Sequence, residues 1–157
     1  MNKQLLSEME NAAKETIPDK KIGVAFSGGV DSTLLAKLAK DLGYDIHLLT
    51  IGFQDSHDIN FAKEVNQLLN FPHSISEIDP EKFKEVSQKI NQTIKSDNLS
   101  WNENSIAFHY VAELAQKNEL KTVVTANGID ELFCGYNSYR EAIEKGEDEV
   151  TKMMDEK

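Results

Sequence analysis

The chain has 157 residues, which is about the size of one domain with one sizeable core. Its formal net charge of −10, with Arg140 as the only arginine, argues against a nucleic-acid partner, because phosphate-backbone binding normally needs a basic surface. No stretch approaches the ~18 apolar residues of a membrane span. From the length we expect a single domain over residues 1–157, and from the lack of a long apolar stretch we expect no membrane partner. One cysteine cannot form an internal disulfide, so we expect a reducing environment and place the chain in the cytoplasm.

Strands and helices are predicted to alternate along the chain. In chain order the predicted elements are a helix over 3–15, a strand over 21–26, a helix over 31–42, a strand over 46–51, a helix over 58–70, a strand over 73–78, a helix that starts at 79–81, a helix over 103–118 and a strand over 121–126. The first helix, within the N-terminal region 1–18, is expected to lie on the sheet.

This alternation predicts an α/β fold, a doubly wound parallel sheet with helices on both faces. If the strand order is 3-2-1-4, ligands are expected outside the carboxyl ends of strands one and four, where the strand order reverses. The acidic tail 137–157 carries Gly146 in mid-helix and has few apolar anchors: Ile143, Val150, Met153 and Met154. We expect the tail to form a marginal helix that needs a surface to lie on.

A Gly-rich loop, Ser-Gly-Gly-Val-Asp-Ser-Thr over 27–33, joins the first strand to its helix. Gly28 and Gly29 carry no Cβ, so the backbone can turn sharply and bring its N–H groups against an anion. The helix N-terminus adds partial positive charge. Three hydroxyl donors are expected at the same mouth: Ser27, Ser32 and Thr33. The loop therefore predicts a phosphate site.

Asp31 adds a carboxylate to this loop. A carboxylate repels a polyphosphate unless a divalent cation lies between them, so Asp31 implies Mg²⁺ as well as phosphate. The structural alternative is a simple strand-to-helix turn capped by Asp31 or Ser32.

A second unusual loop, residues 125–136, leaves the end of the fourth strand. In a 3-2-1-4 sheet it faces the first loop, so Asp130 is a second candidate carboxylate near the polyphosphate. Asp31 and Asp130 are expected to hold Mg²⁺ that bridges phosphate oxygens. The alternative is that Asp130 and Glu131 are merely acids in the first turn of a helix.

Residues 27–33 resemble the pyrophosphate loop of the PP-loop ATP pyrophosphatase superfamily, which is adenine nucleotide alpha hydrolase-like and cleaves ATP between the α and β phosphates. Asp130-Glu131-Leu132-Phe133, with Gly135-Tyr136, is similar to the Asp-Glu-Leu-Phe-Gly-Gly-Tyr signature of the asparagine synthetase C-terminal domain. Thr50 to Phe53, followed by 58–70 and Phe71-Pro72-His73, resembles that family's second strand with its helix and His. The resemblance covers roughly residues 20 to 140.

The resemblance implies a Rossmann-like fold of the HUP type, with ATP and Mg²⁺ as cofactors. It also implies a reaction in which a small carboxylate-bearing substrate is adenylated, pyrophosphate leaves, and ammonia or an amine attacks. The implied ATP-binding residues are Phe26, Ser27, Gly28, Gly29, Val30, Asp31, Ser32, Thr33, Ile51, Thr125, Ala126 and Gly128. The implied metal ligands are Asp31 and Asp130, and these two with Ser27 are the implied catalytic residues.

Three departures from the family limit what the resemblance implies. A glutaminase domain has no counterpart here and position 2 is Asn, so glutamine hydrolysis is not expected from this chain. Asn127 stands where the synthetases have an acidic residue. The family's C-terminal helical region, which supplies a lysine, has no counterpart after residue 157.

Two other functions and one assembly state stay open. Cys134 replaces a Gly of the signature, and it is either the thiol of an ATP-dependent sulfur transferase or a small buried Cys; the absence of a second cysteine favours the latter. A non-catalytic ATP or AMP binder is the second alternative. Apolar tail residues that would otherwise face water predict a homodimer.

Overall fold

The computed structural model describes residues 3–155. Residues 1, 2, 156 and 157 lie outside the described residues. They include Asn2 and the two ends of the predicted N-terminal region and tail. The chain divides into two compact units, one up to Thr125 and one from Ala126 onward. A single domain over residues 1–157 stays a prediction.

The first unit alternates helices and strands, and the second is helical. The first contains α1 (Lys3–Thr16), β1 (Lys21–Ala25), α2 (Val30–Asp41), β2 (Asp45–Gly52), α3 (His57–Leu69), β3 (His73–Glu77), α4 (Pro80–Ile94), α5 (Leu99–Lys117) and β4 (Thr122–Val124). The second contains α6 (Ile129–Phe133), α7 (Asn137–Lys145) and α8 (Glu147–Asp155). None of the helices in the described part of the chain is both long and apolar enough to cross a membrane.

The four strands form one parallel sheet in the order β3-β2-β1-β4. In its register Ile22 of β1 lies between Ile46 of β2 and Thr122 of β4. This confirms the predicted α/β fold and strand order. Because all strands run the same way, the segments that follow β1, β2 and β4 begin at one edge of the sheet.

The two central strands, β1 and β2, are buried on both faces, and their alternating side chains enter two cores. One core packs β1 and β2 against α2 and α3, and it consists of Ile22, Val24, Phe26, Ala36, Ala39, Ile46, Leu48 and Ala62. The other packs the opposite face against α5, and it contains Leu49, Val111, Leu114, Ala115 and Leu120. Gly23 faces this second core, where a Cβ would lie 2.7 Å from Leu49 Cδ1.

Polar caps fix where the later helices begin. The Ser56 hydroxyl accepts from the Ile59 amide at the start of α3, and Asp79 accepts from the Glu81 amide at the start of α4. Helix α5 begins at Leu99, four residues before its predicted start. Asn98 explains the difference, because its side chain accepts a hydrogen bond from the Trp101 amide, 3.2 Å away, and caps an additional turn.

Two packing predictions need correction. Helix α1 forms as predicted, but none of its residues is buried and Leu5, on its apolar face, is 38% exposed. The tail forms two helices instead of one, because Gly146 ends α7 at φ 122°, a conformation that interrupts a right-handed helix. Its buried residues are Tyr139 and Ala142, whereas Ile143 is 57% exposed.

Candidate functional site

The loop 27–33 turns sharply between β1 and α2. Gly28 has φ 79°, in the left-handed region that favours glycine. A Cβ at Gly28 would also lie 3.1 Å from both Ala62 Cα and Phe61 Cδ1 of α3. Glycine is therefore required here for its backbone conformation and for close packing against the neighbouring helix.

The loop hydroxyls bind the backbone and side chains of the loop itself. The Ser32 hydroxyl donates to the Gly29 carbonyl at 3.2 Å and lies 3.2 Å from the Ser27 hydroxyl, which accepts from the Gly29 amide. The Thr33 hydroxyl donates to the Gly28 carbonyl at 3.3 Å. These bonds hold the loop in a fixed shape. A direct role of the same hydroxyls toward phosphate stays a prediction.

The N-terminus of α2 presents backbone donors. Gly29 is its N-cap, so the alternative in which Asp31 or Ser32 caps the helix is wrong, and within residues 3–155 no side chain makes a cap hydrogen bond there. At this end of the helix the Thr33 amide donates to the Gly29 carbonyl at 3.0 Å. Helix geometry leaves the preceding amides, from Val30 to Ser32, directed at the space beyond the helix end.

Asp31 lies in the first turn of α2 and is half-buried. Mg²⁺ in nucleotide sites is usually held by one or two carboxylates together with phosphate oxygens and water. Asp31 provides one carboxylate for such an ion, and the neighbouring backbone N–H groups suit the phosphate oxygens that would complete its coordination. Among the described residues, no three or more His, Cys, Asp or Glu side chains are gathered as a metal cluster, so an all-protein cage is not observed.

Three more predicted residues of the first unit lie at the same edge of the sheet. Phe26 directly follows β1 and is 3% exposed, and Thr125 directly follows β4. Ile51 lies near the carboxyl end of β2, where it pairs with Ser76 of β3. Since β1 lies between β2 and β4, these three positions border the loop that follows β1. The structure therefore gathers Phe26, the loop, Ile51 and Thr125.

Thr50 and His73 are not among the residues predicted for the site. The Thr50 hydroxyl donates to the Phe26 carbonyl at 2.6 Å and lies 2.8 Å from His73 Nε2. Burial lowers the pKa of His73, and the charges of His47 and Lys63 lower it further. The available signal for Thr50 is a single hydroxyl among the apolar residues in the buried half of β2.

A cleft of about 410 Å³ opens at the ends of β2 and β3. Its lining residues are Phe53, Gln54, Glu77, Ile78, Asp79 and Pro80. The Phe53 ring packs edge-on against Phe83, with centroids 5.3 Å apart. Glu77 and Asp79 make the cleft acidic, so it favours a cationic group over a free carboxylate.

The second unit contains Ala126, Gly128 and Asp130. Gly128, at φ 95°, is the N-cap of α6, and Asp130 is half-buried in the first turn. A Cβ on residue 135 would lie 2.8 Å from Asp130 Cγ, so only glycine at 135 leaves room for this carboxylate. Asp130 and Glu131 thus lie in the first turn of a helix, as the alternative without a metal role predicts.

Two further residues of the second unit have unusual environments. The Tyr136 hydroxyl donates to Glu131 Oε1 at 2.6 Å, and this hydrogen bond is the main cause that raises the pKa of Tyr136 to about 12. Cys134 ends α6 at φ 56°. It is half-buried, whereas the favoured alternative is a buried cysteine. The left-handed conformation explains why glycine is favourable at this position.

Comparisons with known proteins agree with this loop and sheet. The asparagine synthase family model matches residues 4–154. A Methanocaldococcus jannaschii relative, named as a glutamine-hydrolysing asparagine synthetase, is 34% identical over 135 residues, which are 85% of this chain and 25% of that protein. Asparagine synthetase 1 of Bacillus subtilis is 27% identical over 147 residues, covering 89% of this chain and 23% of its own length.

A solved structure shows the same fold. The NH3-dependent NAD synthetase of Campylobacter jejuni superposes with a TM-score of 0.54 at 20% identity, covering 85% of this chain and 58% of that chain. This chain spans no more than 25% of the length of the two asparagine synthetases described above. With a family match over nearly all described residues and a PP-loop at the end of β1, the chain belongs to the asparagine synthase family of the PP-loop ATP pyrophosphatases.

Proposed function

We propose that this chain binds Mg·ATP on the loop 27–33 and cleaves it to AMP and pyrophosphate by adenylating a small carboxylate-bearing substrate, which ammonia or an amine then attacks. The observation that carries the proposal is the loop itself. Gly28 turns at φ 79°, Gly29 caps α2 without a side chain, and the first amides of α2 point away from the helix.

Within this proposal the phosphates lie against backbone donors of the loop and of the first turn of α2. Positive charge has to accompany them, since the chain has a net charge of −10 and Asp31 stands beside the same donors. Mg²⁺ held at this site would supply that charge and would offset the negative charge of the pyrophosphate leaving group. Asp31 is the proposed ligand from the first unit, and Asp130, on the sequence argument, is the second.

Adenosine is proposed to lie along the ends of β1, β2 and β4. Phe26, Ile51 and Thr125 border the loop there, and backbone groups at Ala126 and Gly128 complete the proposed set. Packing on mainly apolar residues, with backbone groups for the base and ribose, is common in nucleotide sites. Cytoplasmic location and a homodimer belong to the same proposal.

Products of α-labelled ATP test this function. The protein is incubated with Mg²⁺, ammonia and a panel of small carboxylic acids, and we expect labelled AMP together with equimolar pyrophosphate when the right acid is present. Labelled ADP with orthophosphate contradicts the pyrophosphatase reaction. Tight Mg·ATP binding with no product from any acid supports the non-catalytic ATP or AMP binder, the alternative that the neutral Asn127 favours.

Replacement of Cys134 tests the sulfur-transfer alternative, which a half-buried thiol leaves open. Cys134→Gly is expected to raise the free energy of unfolding by about 1 kcal/mol, because glycine adopts φ 56° without the strain of a Cβ. Cys134→Ala keeps the strain and is the matched control. Unchanged AMP formation in both variants is expected, whereas loss of activity in both supports sulfur transfer.

A further inference from the structure

A side chain of β2 holds the last carbonyl before the phosphate loop. The registered pairs of β1 and β2 end at Ala25 and Leu49, and Phe26 follows them. The Phe26 amide still donates to the Leu49 carbonyl at 2.8 Å, while the Phe26 carbonyl accepts from the Thr50 hydroxyl at 2.6 Å. The backbone that enters the loop is therefore oriented on both sides of one residue.

The number of protons on Thr50 fixes the direction of the next hydrogen bond. A carbonyl only accepts, so the single hydroxyl proton of Thr50 is used on Phe26. His73 Nε2, 2.8 Å from the same hydroxyl oxygen, must then carry a proton and donate it to Thr50. The chain of donors runs from His73 through Thr50 to the Phe26 carbonyl.

His73 also contacts Phe26 directly. Its ring packs edge-on against the Phe26 ring, with centroids 5.8 Å apart. At the start of β3, His73 pairs with Leu48 of β2, so the strand register fixes its backbone. Thr50 is only 2% exposed, and a buried carbonyl that loses its donor is costly.

We propose that His73, acting through Thr50, is a positioning residue that sets the Phe26 carbonyl and with it the start of the loop 27–33 for phosphate binding. This inference rests on the proposed function, because the benefit of the fixed loop is binding of Mg·ATP. It assigns His73 and Thr50 no contact with ATP.

The opposite face of the same two strands provides a matched control. There His47 Nε2 lies 2.8 Å from the Ser74 hydroxyl, which donates to Asn118 Oδ1 at 2.8 Å. This network also joins β2, β3 and a polar acceptor, but it does not include Phe26. Ser74→Ala removes a comparable hydrogen bond without removing a donor to the loop entry.

Dissociation constants for Mg·ATP and for inorganic pyrophosphate with Mg²⁺, measured by calorimetry on the full chain, form the first test. Thr50→Val and His73→Leu are expected to weaken both ligands about tenfold, the change for one lost hydrogen bond with a buried acceptor. Thr50→Ser and His73→Gln retain the donors and are expected to restore binding. Equal weakening in Ser74→Ala, or no weakening in Thr50→Val and His73→Leu, overturns the inference.

Amide hydrogen exchange across 27–33 gives a second test that needs no ligand. We expect faster exchange at the Gly29 and Thr33 amides in Thr50→Val and His73→Leu, and unchanged exchange there in Ser74→Ala. If either Thr50→Val or His73→Leu does not fold, the other variant still tests the inference. Wild-type protein that binds no Mg·ATP refutes the proposed function, whereas equal exchange in all variants refutes the positioning role.

Discussion

Asp31→Asn is expected to weaken Mg²⁺-dependent ATP binding at least about a hundredfold, because loss of even a residue that only supports a metal ligand costs about 10- to 100-fold in metal affinity. The substitution keeps the shape of the side chain and removes its charge. Neutral Asn no longer attracts Mg²⁺, so the cation that neutralises the phosphates is held less well. Calorimetric titration with ATP, with and without Mg²⁺, measures the effect.

The fold is expected to survive this substitution. Asp31 is half-buried in the first turn of α2, where an acid contributes about 0.3–1 kcal/mol through the helix dipole. Asp41→Asn is the matched control, because Asp41 ends the same helix and pairs with Lys37 at 2.5 Å. Mg·ATP affinity that falls equally in both variants, or in neither, removes Asp31 from the metal site.

Asp130→Asn tests the second proposed ligand in the same way. Asn occupies nearly the same space as Asp, so packing against Gly135 is retained. We expect Mg²⁺-dependent binding to fall and the melting temperature to change little. Wild-type affinity in this variant returns Asp130 to the structural alternative, an acid in the first turn of a short helix.

The sheet and the phosphate loop were predictable because their signals are local. A run of β-branched and apolar residues over 21–26 is followed by a glycine pair and a helical repeat within 27–42, and the structure forms β1 and α2 in this segment. The ends of other helices depend on a single capping side chain. The extra turn of α5 requires Asn98 to cap it, which the hydrophobic period does not report.

Burial in the tail depends on packing, which periodicity describes poorly. Ile143, the expected anchor, is 57% exposed, while Tyr139 is fully buried. Gly146 was visible in the sequence, yet whether a glycine bends a helix or ends it depends on the backbone conformation that the fold selects.

The Thr50 and His73 contacts were not predictable from local sequence. Thr50 meets Phe26 across 24 residues and His73 across 23, so both contacts depend on the register of β2 with its two neighbours. A one-residue shift of that register would direct Thr50 toward the α5 face. Pattern reasoning detects a buried hydroxyl, but its partners require the assembled sheet.

Gly28→Ala is expected to lower the free energy of unfolding by about 2 to 4 kcal/mol and to reduce Mg·ATP affinity at least tenfold, through backbone strain and a clash. Strain arises because φ is 79°. The clash arises because the new Cβ lies 3.1 Å from Ala62 Cα, and helix α3 has to move or the loop has to open. Chemical denaturation and calorimetry measure the two effects.

Gly43→Ala separates strain from the clash. Gly43 has nearly the same φ, 83°, but the nearest atom to a Cβ there is Lys20 Nζ at 3.4 Å, the end of a flexible side chain. This variant is expected to lose only about 1 kcal/mol, the strain alone, and to bind Mg·ATP normally. If Gly28→Ala loses no more stability than Gly43→Ala and binds Mg·ATP as wild type does, close packing of the loop on α3 does not shape the phosphate site.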